Sequence, residues 1–265
     1  MDRRLSLFLS LALITLMVSS CGPGSPVPAT PRLPTATPIE AVEPTQAAVT
    51  EPISAVELPD LLGHLHWLGH ASFRLDGPPT VYFDPTSLGG EELLADIILI
   101  SHEHDDHYAP AIVRQISGPE TVIVTSHRVA ARLEKVEGME GEVRALQPGE
   151  RTTVGEVEIE TVPAYNINKS FHPKTSGGLG FIVTWCGERL YFAGDTDRIP
   201  EMADIECDVA LLPIGGTYTM DVEEAAQAAA DIGPKVAVPM HVRSADPEQF
   251  RSLCDCQVVI MEVEF

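Results

Sequence analysis

The chain has 265 residues, with 17 Lys and Arg against 39 Asp and Glu, a formal charge of −22 at pH 7. A hydrophobic fraction of 44% supplies a sizeable core and excludes a wholly disordered chain. The acidic balance argues against a nucleic-acid partner, because a phosphate backbone needs a basic surface. Five Cys at this length do not make a disulfide scaffold.

Arg3 and Arg4 precede an apolar stretch over residues 5–18. It is shorter than the ~20 residues of a spanning helix and suits the core of a secretory signal. Val18-Ser19-Ser20-Cys21 follows. This tetrapeptide resembles a bacterial lipobox, which implies cleavage after residue 20 and a lipid on Cys21. An uncleaved N-terminal anchor is the other reading. Both hold the body at the membrane, so the expected location is extracytoplasmic, anchored to the bacterial cell membrane as a lipoprotein. Residues 21–56 read as a tether: nine Pro and no aromatic residue lie between Cys21 and Asp60. Such a segment buries too little apolar area to offset its ordering entropy. The folded body is then residues 57–265, a length that fits one α/β domain.

Within the body, residues 64–68, 72–75 and 80–83 read as short strands, with Asp76-Gly77-Pro78-Pro79 as a turn. Residues 96–100 form a continuous apolar run, the mark of a strand buried on both faces. A helix over 110–116, a strand over 121–125 and a helix over 127–136 follow. Residues 143–146, 152–154 and 157–162 read as strands. A loop rich in Asn, Ser, Lys and Gly runs from 166 to 178. Residues 179–185 and 189–193 form a hairpin around Cys186-Gly187-Glu188. After a strand at 209–213 comes the clearest helix, 221–232, with Asp221 and Glu224 spaced as a capping box. A strand at 236–239, a helix at 247–253 and a strand at 258–263 complete the chain. Strands with interspersed helices, in a loose two-half symmetry, predict a layered α/β sandwich over a single doubly wound sheet.

Ligand-type residues gather at strand ends. Ser101-His102-Glu103-His104-Asp105-Asp106-His107 follows the buried run directly and holds three imidazoles and three carboxylates. Imidazole and carboxylate suit zinc, iron or manganese. Asp195 lies in Ala193-Gly194-Asp195-Thr196-Asp197 after a strand, and His241 follows another through Met240. His127 opens a helix and reads as structural or capping. Cys186, Cys207, Cys254 and Cys256 remain in the body, and no structural disulfide is expected among them.

The ordered set His102-x-His104-x-Asp106-His107, Gly194-Asp195-Thr196 and Met240-His241 resembles the metallo-β-lactamase superfamily. Trp67-Leu68-Gly69-His70-Ala71-Ser72, Phe83-Asp84-Pro85 and Pro213-Ile214-Gly215-Gly216-Thr217-Tyr218 are similar to its metal-dependent hydrolases related to ascorbate-6-phosphate lactonases and the phospholipase D acting on N-acyl phosphatidylethanolamines. The resemblance implies a four-layer αββα sandwich, the metallo-β-lactamase fold, with a metal site at one edge. It assigns His102 and His104 to a first metal, Asp106, His107 and His241 to a second, and Asp195 to both. The family's third histidine for the first metal is absent, since Pro163-Ala164-Tyr165 is followed by Asn166. His172, Asn166 or water fills that place.

Two divalent ions, zinc first with manganese or iron as alternatives, would supply a hydroxide at neutral pH and polarise the substrate oxygen. Asp106 or Asp195 would move the proton. His70 would contact the substrate or leaving group, or else be a hydrogen-bonded core histidine. His104 stands where flavodiiron oxidoreductases carry Glu, which favours hydrolysis of an ester, lactone, phosphodiester or related bond in a small or lipid substrate. Lys169 and Lys174, two of four lysines in the chain, flank His172 and are candidate contacts for an anionic group. A non-catalytic metal- or ligand-binding lipoprotein is the alternative, and Asn166 is the feature that favours it.

Overall fold

The computed structural model describes residues 59–90 and 93–264. The expected leader, Cys21 and the expected tether lie outside the described residues. Short β-branched and aromatic runs, separated by Gly, Asp and Pro, form two sheets among those described. In the first, β1 (Leu65–Gly69), β2 (Ser72–Leu75), β3 (Val81–Phe83), β4 (Ile97–Ile100), β5 (Val122–Ser126) and β6 (Glu142–Leu146) lie in sequence order. In the second, β7 (Arg151–Val154), β8 (Val157–Ala164), β9 (Gly178–Trp185), β10 (Glu188–Phe192), β11 (Val209–Pro213), β12 (Val236–Met240) and β13 (Gln257–Val258) do the same. Each sheet begins with antiparallel pairs and ends with parallel pairs that need crossovers. The two-half symmetry is therefore real at the level of strand pairing.

The crossovers supply the outer layers. Helices α1 (Pro110–Ile116) and α2 (His127–Leu133) follow β4 and β5, and α3 (Val222–Ile232) and α4 (Pro247–Leu253) follow β11 and β12. Alternation along β4 explains its continuous apolar run. Ile97 and Leu99 enter the core between the sheets, with Phe83, Phe181 and Phe192. Ile98 and Ile100 face the other way, against Val113 and Ile116 of α1 and Val129 and Leu133 of α2. Each such side chain, fully buried, stabilises the fold by roughly 1.5–3 kcal/mol. Helices of seven residues are not stable alone, so this burial is what holds α1 and α2 in place. The four-layer αββα sandwich is the observed fold.

Helix α3 carries the capping box that its sequence predicts: Glu224 N donates to Asp221 Oδ1 at 2.8 Å, and Asp221 N donates to Glu224 Oε2 at 3.2 Å. Two elements differ from expectation. Helix α2 stops at Leu133, because Lys135 N and Val136 N bond three residues back, to Arg132 O and Leu133 O. The last strand pairs with β12 only over Gln257–Val258. The chain then leaves that edge, and Val263 bridges Trp67 of β1 in the other sheet. Cys186, Cys207, Cys254 and Cys256 are all free thiols.

The topology fixes where chemistry can sit. Strands β3 and β4 are parallel, as are β10, β11 and β12, and β8 shares the direction of β10 through its antiparallel neighbour β9. Leu179 N at the start of β9 bonds Ser101 O just past β4 at 3.0 Å, so the carboxyl ends of both sheets meet at one edge.

Candidate metal centre

The segment after β4 turns back at once. His107 N and Tyr108 N both donate to His104 O, at 3.0 and 2.8 Å, and this tight turn directs His102, His104 and His107 to the same side. Asp84, at the end of β3, underpins the turn. Its Oδ1 accepts from Ser101 N at 2.7 Å, and its Oδ2 accepts from Ser101 Oγ at 2.5 Å and from His107 Nδ1 at 2.6 Å. Ser101 Oγ in turn lies 2.9 Å from His102 Nδ1. A hydroxyl that donates to Asp84 accepts from His102. The carboxylate thus puts the proton on Nδ1 of both His102 and His107 and turns both Nε2 atoms toward the clusters.

Two clusters result. In the first, His104 Nδ1 lies 3.0 Å from His102 Nε2 and 2.9 Å from His172 Nε2. His172 Nδ1 lies 3.3 Å from Tyr218 O, a partner that leaves its Nε2 bare. Three imidazole nitrogens converging with so few protons repel one another unless a cation sits among them. The second cluster holds His70, Asp106, His107 and His241, whose ligand atoms all lie within 4.8 Å of one another. Asp195 stands between the two: Oδ1 is 3.1 Å from His107 Nε2, and Oδ2 is 3.5 Å from both His172 Nε2 and His241 Nε2. Asp106 Oδ2 is 3.2 Å from His70 Nε2 and 4.0 Å from His241 Nε2.

Electrostatics keep these groups in ligand form. Burial lowers the pKa of His102 and His172, and that of His241 to about 4, so the rings are neutral donors. The hydrogen bond with His70 holds Asp106 well below the usual carboxylate range. Burial alone would raise Asp195, but the facing His107, His241 and His102 outweigh it and hold it low. Burial also opposes charge on His107, yet Asp195 and Asp84 hold its pKa well above the ordinary value. Positive charge is therefore favoured at that spot. Both ring nitrogens of buried His241 have no hydrogen-bond partner, and buried His107 Nε2 and Asp195 Oδ1, 3.1 Å apart, face only each other. Unpartnered buried polar atoms are costly, and these lie on residues that can ligate a metal. The residues fit bound metal.

The backbone is held in unusual conformations around the same space. Outside glycine, left-handed φ occurs among the described residues at His70, Asp84, His172, His241, Arg243 and Cys186, and only Cys186 lies away from the site. Each such residue costs about 1–2 kcal/mol. His241 is fixed by its N–H to His70 O, at 3.0 Å. Gly194 lies at φ +64, where a Cβ would meet Leu179 O at 2.9 Å, so glycine is required to bring Asp195 in.

The predicted residues His70, His102, His104, Asp106, His107, His172, Asp195 and His241 all come together. Asn166 does not join them as a ligand. Its Nδ2 donates to Phe171 O and Tyr218 O, at 3.0 and 2.7 Å, bending the loop so that His172 reaches the cluster. Lys169 and Lys174 lie elsewhere. Lys169 Nζ is engaged by Asp197 and by Thr219 O, and Lys174 Nζ pairs with Glu201 at 2.7 Å. Neither lines the cavity over the metal ligands. Both ammoniums bind internal carboxylates, which corrects the expectation of a free cationic loop. His127 is exposed, and Ser126, not His127, caps α2 through its Oγ.

A cavity of about 320 Å³ opens over the clusters, lined by His104, Asp106, His172 and Asp195 and by Phe171, Tyr218 and Arg243. The last three residues and the role of Asp84 are not expected from the sequence alone. A carboxylate at the end of a strand next to the histidine-bearing one was the available signal for Asp84.

A family model, the Beta-lactamase superfamily domain, matches residues 64–241. A UPF0173 metal-dependent hydrolase of Archaeoglobus fulgidus is 35% identical over 224 residues, 74% of this chain and 94% of that protein. A relative of the same description from Pyrococcus abyssi is 36% identical, over 71% of this chain and 90% of its own. Among solved structures, one from Parabacteroides distasonis has 32% identity and a TM-score of 0.67, covering 76% of this chain and 93% of its own. A metallo hydrolase from Ignicoccus hospitalis has 27% identity and a TM-score of 0.64, covering 76% and 95%.

The Asp84 network is testable by Asp84→Asn. The variant keeps the shape but loses the acceptor that fixes two tautomers. Metal affinity, measured by competition with a chromophoric chelator, should fall about 10–100-fold with far-UV circular dichroism unchanged. Unchanged affinity would show that Asp84 does not orient the ligands.

Proposed function

This chain belongs to the beta-lactamase superfamily and is a metal-dependent hydrolase, and on that premise we propose that it uses two divalent cations, zinc first among the candidates, to cleave an ester, lactone, phosphodiester or related bond. The observation that carries the reading is the convergence of buried ligand atoms: three imidazoles on one side and His107, His241 and Asp106 on the other, with Asp195 between them. His102, His104 and His172 would hold one cation, Asp106, His107 and His241 the other, with Asp195 serving both. When bound, such a pair brings the pKa of water toward neutrality and polarises the substrate oxygen.

The protein's own groups do the rest. Asp84 keeps the Nδ1 protons of His102 and His107 in place, so the ligand nitrogens never need reorienting. Asp106 is half-exposed whereas Asp195 is buried, which makes Asp106 Oδ2 the exit for a proton released at the site. His70 Nε2, 3.2 Å away, donates to Asp106 and keeps that carboxylate ionised, ready to accept the proton. Phe171 and Tyr218 wall the cavity and exclude water from one side of a bound substrate. The non-catalytic alternative loses its ground, because His172 Nε2 stands 2.9 Å from His104 Nδ1 in the place that Asn166 left open.

The N-terminal charges, the short apolar run and Val18-Ser19-Ser20-Cys21 support action outside the cytoplasmic membrane, tethered through Cys21. That location favours a small molecule or a lipid as substrate.

Metal-loaded protein should hydrolyse at least one of bis-p-nitrophenyl phosphate, a p-nitrophenyl ester, an acyl lactone or a thioester. Chelation should abolish turnover, and Asp106→Asn should lower kcat by about 10²–10⁴-fold. Inactivity of metal-loaded protein on the whole panel would contradict the proposal. For the tether, cells given labelled palmitate should label the protein, and Cys21→Ala should abolish the label. Equal labelling of the variant would exclude Cys21 as the anchor.

A further inference from the structure

We propose that Arg243 is a specificity residue, which binds a second, anionic group of the substrate, a carboxylate or phosphate, beside the bond that is cut. The inference rests on the hydrolase reading above and narrows its substrate class.

Arg243 lines the same cavity as His104, Asp106, His172 and Asp195. It is the one arginine among the described residues with neither an ion pair nor a hydrogen bond. Arg128 pairs with Glu103, Arg144 with Glu142, Arg198 with Asp231 and Arg251 with Glu248. Arg132 donates to Glu103 O and Arg114 to Glu137 O. In a chain with a formal charge of −22, acidic partners are abundant, so a guanidinium without one is held away from them.

The holding is visible in the backbone and in the ring beneath. His241 and Arg243 both take left-handed φ, +49° and +51°, and Ala245 N closes the turn on Val242 O at 2.9 Å. The same turn that points His241 at the metal ligands therefore sends Arg243 over the cavity. Its Cζ lies 5.1 Å from the centre of the Tyr218 ring, which packs edge-on against Phe171 at 4.7 Å. A guanidinium supported on an aromatic face keeps its in-plane N–H groups free, and those match the two oxygens of a carboxylate or phosphate. Lys169 and Lys174, the other cations of this region, are tied to Asp197 and Glu201. Among the described residues, Arg243 is thus the free cation at the cavity.

Butyrate and succinate test the assignment. They differ only in that a terminal methyl becomes a second carboxylate. Binding to the metal-loaded protein is measured by calorimetry, with metal content determined on the same samples. Wild type should bind succinate about tenfold more tightly than butyrate. In Arg243→Ala the ratio should fall to about one, with butyrate affinity and metal content unchanged, and Arg243→Lys should lie between. An equal ratio in wild type and Arg243→Ala, with metal retained, would overturn the role of Arg243 and leave the hydrolase reading standing. Wild-type protein that retains no metal after reconstitution would remove that reading, and this inference with it.

Discussion

Asp84 sits fully buried at the end of β3, and its two oxygens accept from Ser101 N, Ser101 Oγ and His107 Nδ1. Through Ser101 Oγ it also governs His102. One histidine of each cluster therefore depends on the same carboxylate for its tautomer. Burial pushes the Asp84 pKa up, and the bonds from His107 and Ser101 oppose that. A carboxylate so placed is tolerable only with its acceptor positions filled, which makes the second-row bonds as constrained as the ligands themselves. The metal-ligand geometry is, in this sense, an outcome of how β3 packs beside β4.

The sandwich turns that local constraint into a site. Parallel strands bring several carboxyl ends to one edge, and the two sheets contribute separate ligands there. His102, His104, Asp106 and His107 come from the first sheet, and His172, Asp195 and His241 from the second. Neither half holds a complete cluster. The apolar layers between the sheets supply the rigidity, and the left-handed residues at His70, Asp84, His172 and His241 are sustained by it. Conformational cost concentrated at one edge is the pattern of a site whose function requires that shape.

Much of this was legible in the sequence, and the misses have physical causes. The strand-end ligands were readable because continuous apolar runs mark where buried strands stop. Asp84 was not, because an Asp before a Pro looks like a turn residue until β3 is known to lie against β4. The third ligand of the first cluster stayed open between His172, Asn166 and water. His172 is six residues beyond the expected position, and only Asn166 N bonding His172 O, at 2.7 Å, folds it back. Lys169 and Lys174 looked free because Asp197 and Glu201 are distant in sequence. The run from Val258 to Val263 read as one strand, whereas the chain changes sheets partway along it.

The central claim is that both clusters bind a cation, and metal content per chain tests it most directly. Protein purified without chelator or affinity metal would be assayed by elemental analysis, with His172→Ala alongside. If both clusters bind a cation, the wild-type chain holds about two zinc, manganese or iron and the variant about one. One or none in the wild type, or two retained in His172→Ala, would contradict it.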